Sequence, residues 1–202
     1  MGYCYTKFVT GVLMKEKIAS FFKSTSARLL FFVVIVVLAL IIGRGTCTPR
    51  NGIVLADYSV ERDYKQVVDL FRRNLYWLDA NPNPPIERIF TYLSSRGNPD
   101  NKNSLTVKVL RSGSDLVGFV SYYMKSPVLG FVLYLAVDEQ FRGRRFSDRL
   151  MKQAIDDLVS RGAQHIKLIT RPTNISAQMV YERLGFRELG RNSVYVYYEY
   201  RP

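Results

Sequence analysis

Ala136-Val137-Asp138-Glu139-Gln140-Phe141-Arg142-Gly143-Arg144-Arg145-Phe146-Ser147-Asp148-Arg149-Leu150 runs from an apolar strand through a short basic loop into a helix. The strand, Phe131–Val137, is continuously apolar, as strands covered on both faces are. The helix declares itself by Phe146, Leu150, Ala154 and Leu158 on one face, with Met151 and Ile155 beside them, and should end near Arg161-Gly162. A second apolar strand, Ile166–Thr170, follows directly. Such a strand–helix–strand unit must be parallel, because its crossover carries the chain back to the end of the sheet where it began. At the strand-to-helix turn the first helical N–H groups have no partner within the helix, and the helix dipole adds to their attraction for an anion. Arg142, Arg144, Arg145 and Arg149, four arginines in eight positions, add charge suited to a pyrophosphate or a phosphorylated ribose. Composition alone is equally compatible with a solvated basic helix start.

Past the second strand comes Asn174-Ile175-Ser176-Ala177-Gln178-Met179-Val180-Tyr181-Glu182-Arg183-Leu184-Gly185-Phe186, with a helix expected over Ser176–Leu184. Asn174 stands where a helix N-cap, or a hydrogen bond to a ligand, would be. Tyr181 follows seven residues later, about two turns, on the same helical face. Gly185 is placed to end the helix, and Phe186 to return the chain to the core. A capped core helix carrying a buried tyrosine has the same spacing. Asn174-Ile175-Ser176 also matches a glycosylation sequon, which a buried position would keep from use.

In this order and at this separation, the two segments resemble the GNAT superfamily of acyl-CoA-dependent N-acetyltransferases. The resemblance covers Ile53–Pro202 and is densest over Leu135–Phe186. In that family a strand leads into an Arg/Gln-x-x-Gly-x-Gly/Ala loop whose amides cradle the CoA pyrophosphate. An Asn, an Ala and a Tyr-Glu-x-Leu-Gly-Phe ending follow. Tyr181-Glu182-Arg183-Leu184-Gly185-Phe186 matches that ending throughout, with Asn174 and Ala177 at their offsets. With Arg142 as the first loop position, the two glycine-type positions hold Arg145 and Ser147. Starting the pattern at Gln140 would use Gly143, but the register from Arg142 fits Phe146 and Leu150 to the helix face.

The resemblance implies acetyl-CoA as the acetyl donor, with no metal. It implies a cofactor site built from Leu135, Ala136, Val137, Arg142, Gly143, Arg144, Arg145, Phe146, Ser147, Asn174, Ala177 and Tyr181. An amine would attack the thioester directly while a backbone N–H of Phe131–Val137 polarises the carbonyl. Tyr181 would be the catalytic acid that protonates the departing thiolate, and Asn174 would bond the pantetheine arm or a water. Many relatives carry a glutamate five residues before the Asn; here Ile169 stands there. No base is named by the sequence: Tyr134, Glu139 and the first two helices remain open, and His165, between Gln164 and Lys167, reads as incidental.

Outward from this centre the pattern alternates. Ile53–Ala56 reads as a short strand and Glu61–Leu75 as a helix with Val67, Leu70, Phe71 and Leu75 on one face. Asn81-Pro82-Asn83-Pro84-Pro85 breaks the chain before a second helix over Ile86–Leu93. A polar loop at 96–103 precedes strands Leu105–Leu110 and Leu116–Met124, which are joined across Ser112-Gly113-Ser114-Asp115. Val194–Tyr200 closes the chain as a strand after the turn Gly190-Arg191-Asn192. The expected fold class is mixed α/β, of α+β character: a mostly antiparallel sheet with one parallel strand–helix–strand unit, preceded by one hydrophobic N-terminal helix.

Composition limits what else the chain does. It has one histidine, His165, and only two cysteines, Cys4 and Cys47, which argues against a multi-histidine metal centre, a Ser/His/Asp triad and a disulfide-built core. The net charge of +12 divides evenly: seven basic residues against Glu16 before residue 53, and 22 against 16 after it, so +6 in each part. Leu29–Ile42 has no polar side chain and is bounded by Arg28 and Arg44. The division expected is a basic segment 1–28, a membrane anchor or signal at 29–43, a linker at 44–52 and a catalytic domain at 53–202.

Single-pass anchoring and export after signal cleavage are both compatible with that run, the second with synthesis from Met14. Met1-Gly2-Tyr3-Cys4-Tyr5-Thr6 also fits a myristoylation pattern with an acylatable Cys4. Five basic residues before the run favour an inside N-terminus and an outside catalytic domain, although acetyl-CoA is cytoplasmic. Three function classes follow: a membrane-tethered N-acetyltransferase acting on an amine of a protein, peptide or small molecule; a catalytically degenerate CoA sensor; and a basic interaction module for anionic lipid or nucleic acid. Nucleic acid is not expected as a partner, since no recognised motif for it is present. Oligomeric state leaves no trace in the sequence.

Overall fold

A computed structural model of the chain describes residues 52–93 and 104–202. The segments 1–28 and 29–43, the linker apart from Gly52, and the polar loop at 96–103 lie outside the described residues. The elements are β1 (Val54–Asp57), α1 (Val60–Arg73), α2 (Leu75–Leu78), α3 (Ile86–Tyr92), β2 (Thr106–Ser112), β3 (Asp115–Ser126), β4 (Leu129–Val137), α4 (Phe146–Ser160), β5 (His165–Thr170), α5 (Ile175–Arg183), β6 (Arg187–Arg191) and β7 (Val196–Tyr200), with a single 3-10 turn at Glu139–Phe141.

The strands form one sheet in the order β1-β2-β3-β4-β5-β7-β6, and every neighbouring pair is antiparallel except β4 and β5. Helices cover both faces. On one, Leu150, Met151, Ala154 and Leu158 of α4 and Tyr181 of α5 meet Val120, Tyr122, Ile166 and Tyr198 of the sheet. On the other, Val67, Leu70 and Phe71 of α1 and Ile89 and Phe90 of α3 meet Val109, Phe119, Tyr134 and Ala136. Burial of each such large side chain is worth about 1.5–3 kcal/mol.

Two helices end the same way. Gly162 and Gly185 adopt left-handed backbone at φ 97° and 91°. The next N–H reaches back to the last turn, from Ala163 to Leu158 O at 3.0 Å and from Phe186 to Tyr181 O at 3.0 Å. Glycine removes the Cβ penalty of that conformation, so both stops are local instructions.

Beneath α1 lies a charged anchor. Asp63 is completely buried and accepts from Arg111, from Arg62 Nη2 at 2.8 Å and from the Ser59 N–H at 2.9 Å. Arg111 also donates to the Ser114 carbonyl, and Gln66 bonds the hairpin at both Ser114 and Leu116, which pins α1 to the β2–β3 turn.

The irregularity that matters lies in β4. Ser121 of β3 pairs with Tyr134, but Tyr122 pairs with Val132, so Leu133 is an extra residue on the β4 side. A bulge of this kind kinks the strand and changes which face its side chains take. Val132 accordingly joins the α4 face, whereas Tyr134 and Ala136 join the α1 face. Just before the bulge, pairing with β5 stops: the parallel register holds only Leu129 with His165, Gly130 with Ile166 and Phe131 with Lys167. β5 stays paired with β7 as far as Thr170, so β4 and β5 diverge and the sheet opens between them.

The mixed α/β reading and the parallel unit agree with this architecture. Three local expectations are corrected. The helix expected over Glu61–Leu75 stops at Arg73 and restarts as one turn, because the Asn74 amide donates to Leu70 O at 2.8 Å and closes α1. The closing strand begins at Val196, not Val194. Gly190 and Arg191, read as part of a turn, belong instead to the edge strand β6, which is held by pairing with β7.

Candidate active site

On the α4 side of the opening, the loop after β4 is held from below. Asp138 receives Arg73 Nη2 at 2.8 Å and accepts the Gln140 N–H at 3.2 Å. Arg142 donates from Nε to Val137 O at 3.1 Å and from Nη2 to Asn74 Oδ1 at 2.8 Å. The end of α1 therefore clamps the loop, a role for Arg73 and Asn74 that no local signal carried.

Beyond the clamp the backbone turns outward. Gly143 has φ 78° with open space where a Cβ would be, and Arg145 caps α4 at φ 59°. Arg145, at the first glycine-type position, is thus left-handed, a conformation that glycine adopts most readily. From Gly143 to Asp148, six successive backbone N–H groups have no acceptor among the described residues, the first helical bond being Arg149 N–H to Arg145 O. This is the anion cradle that a strand-to-helix loop creates.

The four arginines divide. Arg142 turns inward as described, and Arg149 Nη1 donates to Ile53 O at 2.8 Å. Arg144 lies over the Phe141 ring at 5.9 Å, while Phe141 and Phe146 meet edge to face at 6.5 Å. Arg144 and Arg145 are exposed and form no ion pair with the described residues. Ser147 donates to Asp148, whose carboxylate binds Arg183 of α5 at 2.6 and 2.9 Å. That bidentate contact holds the Asp148 carboxyl below its usual range and ties α4 to α5.

Across the opening stands α5. Asn174 caps it by accepting the Ala177 N–H at 3.3 Å, and its amide nitrogen has no acceptor among the described residues. Gln178, buried, holds the preceding turn through the carbonyls of Arg171 and Pro172 at 3.3 and 2.8 Å. Tyr181 lies against Phe186 and Tyr198, with ring centroids 6.0 and 5.7 Å apart. Its hydroxyl makes no hydrogen bond with the described residues, and burial pushes it well above the ordinary tyrosine range. Burial and a 2.9 Å bond to Glu182 push Tyr198 up to about 12. Leu135 and Val137 pack on this same α4 face, whereas Ala136 faces α1.

On the α1 face, the opening leads into a cavity of about 390 Å³ between β4, the end of β5 and the α2–α3 connection. Phe131, Leu133 and Tyr134 form one wall and Ile169, Thr170 and Arg171 another. Arg171 donates to the carbonyls of Tyr76 and Asp79, the latter at 3.2 Å, and stacks 4.3 Å from the Tyr76 ring, so β5 holds α2 in place. Tyr134 meets Phe71 edge to face at 4.7 Å and donates to Asp79 Oδ2 at 2.8 Å. Asp79 escaped sequence reasoning because its partner is 55 residues away. His165 lies at the paired end of β4 and β5, away from the opening, with Nδ1 3.3 Å from Glu199. Glu139 is exposed on the 3-10 turn.

Free amides in the loop after β4 and a cavity of about 390 Å³ thus lie where the sheet opens between β4 and β5, with Tyr181 buried in the core on the α4 face. The chain belongs to the acetyltransferase (GNAT) family, whose family model matches residues 64–186. This is a class of enzymes that takes its acetyl group from acetyl-CoA. Among curated proteins the chain is similar to N-alpha-acetyltransferase 30 of Schizosaccharomyces pombe, 38% identical over 69 residues, which cover 34% of this chain and 45% of that protein. It is also similar to mycothiol acetyltransferase of Corynebacterium efficiens, 33% identical over 89 residues, 44% of this chain and 30% of that one. The match thus spans less than half the length of these relatives.

Among solved structures, the fold is shared with the PaiA N-acetyltransferase of Thermoplasma acidophilum in complex with coenzyme A. That match has a TM-score of 0.60 and 15% identity over 75% of this chain and 99% of that one. The NatC complex bound to Gag peptide and CoA matches with a TM-score of 0.57 and 19% identity, over 74% and 98%. Among the described residues no group of three or more His, Cys, Asp or Glu is placed to hold a metal ion.

Proposed function

We propose that this chain transfers the acetyl group of acetyl-CoA to the amine of a protein, peptide or small molecule. The observation that carries the proposal is the divergence of β4 from β5 after Phe131, with free amides on one face and a cavity on the other. The amides of Gly143–Asp148, with Arg144 and Arg145, would hold the pyrophosphate of CoA. The pantetheine arm would run into the opening beside Leu135–Val137, with Asn174 Nδ2 as a donor to it. With the thioester beside the bulge, an unpaired N–H of β4 would stabilise the oxyanion as the amine adds to the carbonyl carbon. As the C–S bond breaks, Tyr181 would deliver its proton to the thiolate. A tyrosine whose ionisation is pushed upward remains protonated at neutral pH, which suits it to that donation. The likeness to an N-alpha-acetyltransferase supports an α-amino group as acceptor; the likeness to mycothiol acetyltransferase supports a small-molecule amine.

The apolar run at 29–43 completes the proposal as a single-pass membrane anchor, export after cleavage being the alternative. No helix among the described residues is long and apolar enough to cross a membrane. The test is thiol release from acetyl-CoA by the full chain in detergent or vesicles, against a panel of amines. Amine-dependent release supports a transferase. Saturable CoA binding without turnover points to a sensor, and no CoA binding rejects both. Protease protection of residues 53–202 in intact cells, read with and without alkaline extraction of the membranes, decides anchoring and side.

A further inference from the structure

We infer that Asp79, held by Tyr134, is the receptor for the protonated acceptor amine, and that this chain selects cationic primary amines over neutral acceptors of the same shape. The inference deepens the transferase reading and rests on it only for the later chemistry.

Among the described residues, Asp79 is the only carboxylate lining the 390 Å³ cavity and Arg171 the only cation; the other walls are mostly apolar or aromatic. Trp77, Phe131, Tyr134 and Tyr195 all face it, and aromatic faces attract cations. With the Arg171 guanidinium engaged by the Tyr76 and Asp79 carbonyls and the Tyr76 ring, the Asp79 carboxylate and the other rings are left to meet an ammonium. The carboxylate is also fixed in place. Its Oδ2 accepts from the Tyr134 hydroxyl at 2.8 Å, its Oδ1 accepts from the Asn81 N–H at 2.9 Å, and its own carbonyl is bonded by Arg171. Arg171 is directed to backbone carbonyls and a tyrosine ring, and among the described residues no ion pair is formed by Asp79. Each carboxylate oxygen accepts more than one bond, which leaves capacity for an ammonium.

The placement fits the reaction. Tyr134 lies in β4 one residue past the bulge, at the opening through which the thioester would be reached. An amine bound to Asp79 is therefore brought to the edge of β4 from the face opposite the cofactor loop. A free alkylamine is mostly protonated at neutral pH, so capture of the cation raises its local concentration before it loses its proton. Asp79 is a positioning and specificity residue; the proton itself leaves to solvent.

The only tryptophan of the chain, Trp77, lines this cavity and reports directly on its occupancy. Quenching or enhancement of its fluorescence is read on titrating the full chain, without acetyl-CoA, with phenethylamine and with its neutral counterpart 3-phenylpropanol. The expected result is preference for the amine at pH 7. In Asp79→Asn the amine should bind about 10- to 100-fold more weakly, as for a lost charge-assisted bond, with the alcohol unchanged. Tyr134→Phe, which keeps the ring, should leave binding within about threefold of wild type but lower kcat/KM for the amine. Equal affinity of wild type and Asp79→Asn for the amine overturns the assignment. So does parallel loss of amine and alcohol, which would make Asp79 a shaping residue only. If the wild type binds the amine but releases no thiol, the transferase reading fails while this one stands.

Discussion

Phe131 pairs with Lys167, and no later residue of β4 pairs with β5. That single end of register opens the sheet. Leu133 bulges out of β4 two residues on; the cavity wall of Phe131, Leu133 and Tyr134 belongs to the α1 face, whereas Phe141 and Phe146 of the loop after β4 pack on the α4 face.

Tyr181→Phe should separate chemistry from stability. The hydroxyl makes no hydrogen bond with the described residues, so removing it should shift unfolding by less than about 0.5 kcal/mol. Acetyl transfer should fall about 100- to 10,000-fold if the tyrosine protonates the thiolate, with the Kd for CoA unchanged. Because its pKa is raised, wild-type activity should show no falling limb from this group below about pH 10. A mutant with full kcat refutes the acid role.

Arg145→Gly should stabilise the protein. Arg145 holds φ 59°, a conformation that costs a residue with a Cβ about 1–2 kcal/mol. Glycine returns part of that gain as chain entropy, leaving a net rise of roughly 0.5–1 kcal/mol in urea unfolding. Arg145→Ala keeps the Cβ and should show no such rise. If the two variants unfold alike, the strain is absent.

Gly118→Ala should disturb β4 from behind. Its Cβ would lie 2.6 Å from Ala136 O and 3.1 Å from Val137 Cα, both backbone, so the strand must move. A loss of about 1–3 kcal/mol is expected, with weaker CoA binding measured by calorimetry. Gly130→Ala makes a useful comparison, since its 2.9 Å contact is with the movable end of the Leu158 side chain and should cost less.

The link between Asp148 and Arg183 should melt with acid. The folded carboxyl titrates below its ordinary value, so its contribution is complete above the unfolded value, about 3.9, and disappears as pH falls through the lower folded one. Chemical unfolding of wild type and Asp148→Asn should therefore differ at pH 7, with the difference shrinking only as pH falls below the unfolded value and toward the lower folded one. A difference that does not shrink between about pH 5 and about pH 2 would mean that Asp148 acts other than as an ion.

Local features of the site were legible in the sequence. The stops at Gly162 and Gly185 need only a residue without a Cβ, and the strand–loop–helix at 136–150 needs only its apolar spacing and its turn. β6 was not legible: Arg187–Arg191 has no apolar alternation and is a strand because β7 supplies its hydrogen bonds. The bonds that engage Arg142 and Arg149 were hidden too, since their acceptors, Asn74 and Ile53, are distant in sequence.

The sequence by itself determined the fold class, the amide cradle before α4 and the place of Tyr181, because periodicity, glycine and helix termini act over a few residues. Only the tertiary structure decided where β4 leaves β5, which arginines remain outward and that Asp79 meets Tyr134. Those depend on strand register and on groups far apart in the chain, and register is settled only when both partners and the cores on either face are in place.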